Sequence, residues 1–271
     1  MPVASSIDPN RIDDAIIRTL EEGRIAALAT LVSGPGSVGA KLLVTETGAR
    51  FGGTHDPRLD EALAERATAF LASRVETVTL TVDELAPQLI AWHGARVMFE
   101  RIEPEPRIII CGAGHVGAAL ARLSHLIGYR TTLIDDRAEF LTRERFPETG
   151  IELVVAETWT QAVRAAVGSG RGVSVAVVTR GHNEDEECLR AVIAARPDYV
   201  GMIGSKRRTN IVLKRLRATG CDETVLNAVR APIGLDIGAV TPEEVALSIL
   251  AEIIAERRGG TYLPLSAWRR R

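Results

Sequence analysis

Short unbroken apolar runs at 108–111, 131–134, 153–155, 173–178 and 199–203 alternate with stretches whose apolar residues recur three and four positions apart. Runs without polar alternation are strands covered on both faces, and helical stretches between them are the crossovers of a parallel sheet. The first part of the chain is patterned differently. Positions 9–22 and 60–74 carry helical periodicity, while 24–32, 41–45, 75–82 and 95–101 read as strands. That mixture predicts a small α+β domain over 1–102. The segment Glu103-Pro-Glu-Pro106 reads as a linker, and 107–271 as a Rossmann-like α/β domain built on a parallel sheet. The last helix has an explicit start, with Thr241 as N-cap, Pro242 at the first helical position and Glu244 completing a capping box. It is expected to run to about residue 258 before Gly259-Gly260 stops it.

The first run of the second domain leads into Gly112-x-Gly114-x-x-Gly117 and then into an Ala/Leu-rich helical stretch. In such a turn the first glycine permits the tight bend. The second lets backbone approach a phosphate, and the third lets helix pack on strand. Unpaired N–H groups at the helix start, here around His115 and Val116, favour an anion. The next run ends in Asp135, 21 residues beyond Gly114, where a ribose-binding acid belongs.

Ligands of open α/β sheets gather outside the carboxyl ends of the strands, so the polar residues that close each run are the candidates. They are the glycine turn with His115, then Asp135-Asp136-Arg137, then Thr179-Arg180-Gly-His182, then Gly204-Ser205-Lys206. Ser205 reads equally as a phosphate donor and as an ordinary N-cap, and the cations after it as phosphate ligands or as a solvated helix face. The glycine spacing there is not that of a Walker A loop. His182, among polar neighbours, suits an acid, a base or a ligand near neutral pH. The stretch 230–239 is a glycine-broken apolar loop in which Asp236 looks buried, as though something approached its backbone closely.

Composition narrows the classes. With 33 basic and 35 acidic residues in 271, net charge −2, nothing points to nucleic acid, and the basic run Arg269 to Arg271 reads as a solvated tail. No stretch of about 18 apolar residues predicts a membrane span, and the first residues lack the pattern of a secretory leader, so a cytoplasmic protein is expected. Cys111, Cys188 and Cys221 are too widely spaced for a paired-cysteine motif and read as reduced, with no metal site expected.

Several of these stretches resemble the xanthine dehydrogenase accessory proteins, the XdhC/CoxI family, which serve molybdenum hydroxylases. They are Ile110-Cys-Gly-Ala-Gly-His-Val-Gly117, Asp135-Asp-Arg137 with Arg145-Phe-Pro147, Thr179-Arg-Gly-His182, Gly201-Met-Ile-Gly-Ser-Lys-Arg-Arg208, and Pro232 to Ala239 with Thr241-Pro-Glu-Glu244. In the first domain the likeness is looser, covering Gly34 to Val44 and a turn at Gly48 with Gly52-Gly53-Thr54. Where the family carries a cysteine and a glutamate after a glycine run, this chain has Thr54-His-Asp-Pro-Arg-Leu-Asp60. A second family cysteine is replaced around His93-Gly94. The resemblance implies a cofactor chaperone rather than a catalyst. Such a protein binds molybdenum cofactor of the molybdopterin type and protects it while a cysteine desulfurase installs its sulfido ligand. It then passes the cofactor to an apo molybdenum hydroxylase of the xanthine dehydrogenase type. A homodimer fits the glycine-broken loop and the apolar last helix. The residues themselves also permit an NAD- or NADP-dependent oxidoreductase, or a nucleotide-sensing regulatory module.

Overall fold

The computed structural model describes residues 11–36, 38–73 and 75–266. The expected start of the first helix at 9–10, Arg74, the first residues and the terminal arginines lie outside the described residues. The chain divides into two compact units, Met1–Pro104 and Glu105–Arg271.

The first unit runs α1 (Ile12–Glu21), β1 (Ala26–Ser33), β2 (Lys41–Thr45), β3 (Arg50–Gly53), α2 (Pro57–Ala72), β4 (Thr77–Thr81), α3 (Val82–Leu85) and β5 (Arg96–Ile102). Its strands form one sheet in the order β3-β2-β1-β5-β4, with every pairing antiparallel. Side chains alternate between the faces of a strand, which splits β1 between two cores. Ala27, Ala29 and Leu31 face Leu59, Leu63 and Phe70 of α2, while Ala26 and Leu28 join Ala15 of α1. Asp56 starts α2 by accepting hydrogen bonds from the N–H of Arg58 and Leu59, and Pro57 follows at the first turn. Gly52 and Gly53, expected in a turn, lie in β3, where Gly52 pairs with Leu42. An edge strand of four residues, two of them glycine, carries no alternation to read.

The second unit runs β6 (Arg107–Cys111), α4 (His115–Leu126), β7 (Arg130–Asp135), β8 (Ile151–Val155), α5 (Trp159–Val167), β9 (Val173–Val177), α6 (His182–Ala195), β10 (Tyr199–Met202), α7 (Lys206–Ala218), α8 (Glu223–Ala228) and α9 (Pro242–Arg258). The sheet order is β10-β9-β6-β7-β8, all parallel. Ile108 and Ile110 of β6 face a core shared with α4 and α9, and Ile109 and Cys111 face one shared with α5, α6 and α7. Both faces are covered, which is why these strands have no polar alternation. The capping box of α9 forms as its sequence dictates, and Gly259 closes that helix in the left-handed conformation. Beyond β10 the chain adds a parallel segment that the sequence, broken by Pro232, does not announce. The Arg230 N–H donates to Val200 at 2.9 Å, and the Met202 and Ile233 N–H groups extend the ladder at 2.8 and 3.0 Å. Running parallel to β10, this segment delivers loop 234–240 to the same sheet edge as the other strand-end loops.

Candidate functional site

The strand order reverses between β6 and β9, the position at which open α/β sheets form a ligand crevice. The glycine turn closes β6 there, and its three glycines divide the work. Gly112 has φ +116°, and a Cβ on it would stand 2.6 Å from the Val178 carbonyl oxygen. A Cβ on Gly117 would stand 1.8 Å from the Gly112 oxygen. Both are packing glycines. Gly114 is different: among the described residues nothing lies within 4 Å of the place its Cβ would occupy. It caps α4 with no side-chain hydrogen bond, so among the described residues no side chain satisfies the N–H groups of that helix's first turn. His115 is exposed on that turn, and Val116 packs its side chain against the α4 core.

Asp135 ends β7 and is 1% exposed. Its Oδ2 accepts from the Ala113 N–H at 2.6 Å and from Arg137 Nη2 at 2.9 Å, and its Oδ1 from Arg137 Nε at 2.8 Å and the Arg137 N–H at 3.0 Å. The Arg137 guanidinium lies 3.7 Å over the Phe140 ring. Arg145, whose guanidinium is 4.8 Å from the same ring, donates to the Phe140 oxygen at 2.8 Å and the Ala113 oxygen at 3.3 Å. The two polar groups of the Ala113 backbone are therefore held by one side chain at the end of β7, Asp135, and one beyond it, Arg145.

Burial works against the charge on Asp135. The Arg137 guanidinium and the two backbone N–H groups outweigh it and hold the carboxyl below the usual carboxylate range. A depressed folded-state pKa contributes stability that is present above the unfolded value of about 4 and lost as pH falls through the folded one. The melting temperature of the wild type should therefore exceed that of Asp135→Asn near neutrality. The gap should shrink as melts are taken down from about pH 5 toward pH 2. A gap independent of pH would contradict this role for the charge.

Asp136 joins the loop after β7 to the loop after β9. Arg180 donates to its two oxygens at 3.1 and 3.0 Å, and also pairs with Glu184 at 3.3 Å. Because β6 lies between those strands, this pair bridges across the end of β6. Behind it, Thr179 donates from Oγ1 to Asp185, which is fully buried. The second Asp185 oxygen takes Arg208 Nε at 2.6 Å, and Arg208 Nη2 also reaches the Thr179 carbonyl at 3.2 Å. One arginine thus ties the ends of β9, α6 and α7 together, a pairing invisible from residues 23 positions apart.

Ser205 is the N-cap of α7, accepting from the Arg208 N–H at 3.2 Å, and Gly204 precedes it with φ +150°. Lys206 and Arg207 are exposed at the start of that helix and make no ion pair among the described residues. His182 is the first residue of α6, which Gly181 caps without a side-chain bond. Asp236 is exposed, not buried as its apolar neighbours suggested: the loop is tied to α9 at its start, where the Leu235 N–H donates to the Ser248 oxygen at 3.2 Å, and beyond that its apolar residues Ile237 and Val240 are themselves exposed. Cys111 and Cys188 are both fully buried and free, and burial first, then the neighbouring Cys111, pushes the Cys188 thiol well up.

In the first unit, the stretch that departs from the resembled pattern is built on carboxylates. Asp60 accepts from the Thr54 N–H and hydroxyl, both at 2.7 Å, and Asp56 from Trp92 Nε1 at 2.8 Å. His55 between them is exposed and has φ +68°. Among the described residues there is no cluster of three or more His, Cys, Asp or Glu fit to hold a metal ion. No described helix is long and apolar enough to cross a membrane.

A five-stranded parallel sheet with a glycine turn at its reversal point defines a Rossmann-type domain. The chain belongs to the XdhC and CoxI family: the family's Rossmann domain matches residues 108–253, and its XdhC and CoxI region matches residues 19–83. Three curated relatives are similar. An uncharacterized protein of Escherichia coli, YqeB, is 34% identical over 61% of this chain and 28% of its own length. A probable xanthine dehydrogenase subunit of Bacillus subtilis is 29% identical over 60% of this chain and 46% of its own. The molybdenum cofactor insertion chaperone PaoD of Escherichia coli is 25% identical over 57% of this chain and 41% of its own. The chain thus spans less than half the length of each relative it matches.

Proposed function

We propose that this protein is an accessory factor that binds molybdenum cofactor at the carboxyl edge of its Rossmann domain. On this reading it holds the cofactor through sulfuration by a cysteine desulfurase and passes it to a xanthine dehydrogenase-type hydroxylase. The observation that carries the proposal is the open start of α4 at Gly114, which has no side-chain cap, with only β9 between its strand and the one that leads to Lys206 and Arg207, exposed and without an ion pair among the described residues. Family membership and the likeness to a cofactor insertion chaperone support molybdenum cofactor as the ligand.

The residues present fit a phosphate-bearing pterin. Gly114, His115 and the first N–H groups of α4 would receive the phosphate, with Lys206 and Arg207 contributing charge and Asp136–Arg180 bordering the crevice. When bound, the cofactor brings the molybdenum centre that the receiving enzyme needs. The chain's own part is to bind, orient and release it, and the strand-edge loops offer exposed polar groups such as His115, Lys206 and Arg207. A homodimer accords with a role in which one face meets the client.

Removing both cations tests the reading. Lys206→Ala with Arg207→Ala should weaken cofactor binding by about ten- to a hundredfold, the range of one or two charge-assisted hydrogen bonds, with an unchanged melting temperature. Calorimetric titration under anaerobic conditions measures it. Unaltered affinity in the folded double variant would place the phosphate elsewhere.

A further inference from the structure

An acid that ends the second strand of a dinucleotide-binding unit serves by accepting hydrogen bonds from ribose hydroxyls, for which its oxygens must have lone pairs to spare. An ionised carboxylate offers about four acceptor positions. At Asp135 four N–H donors already occupy them: the Ala113 N–H, the Arg137 N–H, and Nε and Nη2 of Arg137. A ribose diol would have to displace a bidentate guanidinium that is itself laid 3.7 Å over Phe140. The same carboxylate positions the glycine turn, because it fixes Ala113 one residue before Gly114 while Arg145 holds the Ala113 carbonyl. The acid is engaged as a brace for the turn, and the open space lies on the Gly114 side.

We propose that Arg137 is a specificity-determining residue: by saturating Asp135 it closes this glycine turn to NAD, whose free ribose 2′-hydroxyl needs the acid, and leaves it to phosphate ligands that need no ribose contact from Asp135. This rests on the reading above that the turn is the ligand site, and it identifies which phosphate compounds the turn rejects.

The test is calorimetric titration of the full-length protein with NAD, for the wild type, Arg137→Ala and Asp135→Asn, each checked by circular dichroism. The wild type should show no saturable NAD binding up to millimolar concentration, and Arg137→Ala, with the carboxylate released, should bind NAD at least tenfold more tightly than that limit. If Arg137→Ala does not fold, Arg137→Lys replaces it, since lysine keeps the charge but cannot engage both oxygens as a planar fork. Saturable NAD binding by the wild type that Asp135→Asn abolishes would overturn the proposal. So would a folded Arg137 variant that remains blind to NAD. Molybdenum cofactor is titrated in parallel: failure to bind it falls on the proposed function, whereas the nucleotide arms fall on Arg137 alone.

Discussion

Gly114→Val should abolish cofactor binding and leave the Rossmann domain folded. The backbone at Gly114 is extended, with φ −67°, which valine adopts without strain, and no atom of the described residues lies within 4 Å of the new Cβ. The cost to stability is that of a poorer N-cap residue, about 1 kcal/mol. The cost to binding is much larger, because the side chain fills the space through which a phosphate must reach the α4 N–H groups. Gly117→Ala is the control with the opposite signature. Its Cβ would lie 1.8 Å from the Gly112 oxygen, so helix and strand must separate. The expected loss is at or above the ~1–3 kcal/mol typical of overpacking. Thermal melts and titrations of the two variants should therefore separate binding from folding. If Gly114→Val binds as the wild type does, the turn is not the ligand site.

Arg208→Ala should be among the most destabilising single changes in the second unit. It removes the guanidinium from Asp185, a carboxylate with no exposure, and leaves that charge to the Thr179 hydroxyl and its remaining neighbours. Breaking a buried pair by deleting one partner costs about 3–5 kcal/mol, a large part of the ~5–15 kcal/mol that holds a domain together. The loss also frees the ends of β9 and α7 from each other, so loosening of residues 179–185 and 204–209 should accompany it. Urea unfolding measures the stability, and amide exchange the local loosening. A midpoint within error of the wild type would show that Asp185 is satisfied without Arg208.

What the sequence revealed and what it hid follow from the range of the interactions involved. The parallel strands were legible because both sheet faces are covered, which makes runs such as 108–111 and 173–177 apolar throughout. The α9 cap was legible because Thr241, Pro242 and Glu244 act on one another within a single turn. The segment leading to Ile233 was not, since its pairing depends on β10 and its sequence contains Pro232. At the site, the glycine turn announced itself through backbone requirements that only glycine meets. The state of Asp135 did not, because it is decided by Ala113 and Arg137 together, with Phe140 and Arg145 behind them. Ser205 was ambiguous for the same reason: an N-cap and a phosphate donor require the same residue, and the observed bond to the Arg208 N–H identifies the cap. Asp236 misled because apolar neighbours in a loop signal burial only where the loop packs inward, and this one does not.

The most direct measurement of the central claim is transfer. The purified protein is loaded anaerobically with molybdenum cofactor, freed of unbound cofactor, and mixed with an apo-hydroxylase of the xanthine dehydrogenase type. Metal content and pterin are followed in both proteins by mass spectrometry. Stoichiometric retention by this protein and movement of cofactor to the apoenzyme are expected, with neither step supported by Gly114→Val. Absence of retention by the folded wild type, or retention unchanged in Gly114→Val, would contradict the claim.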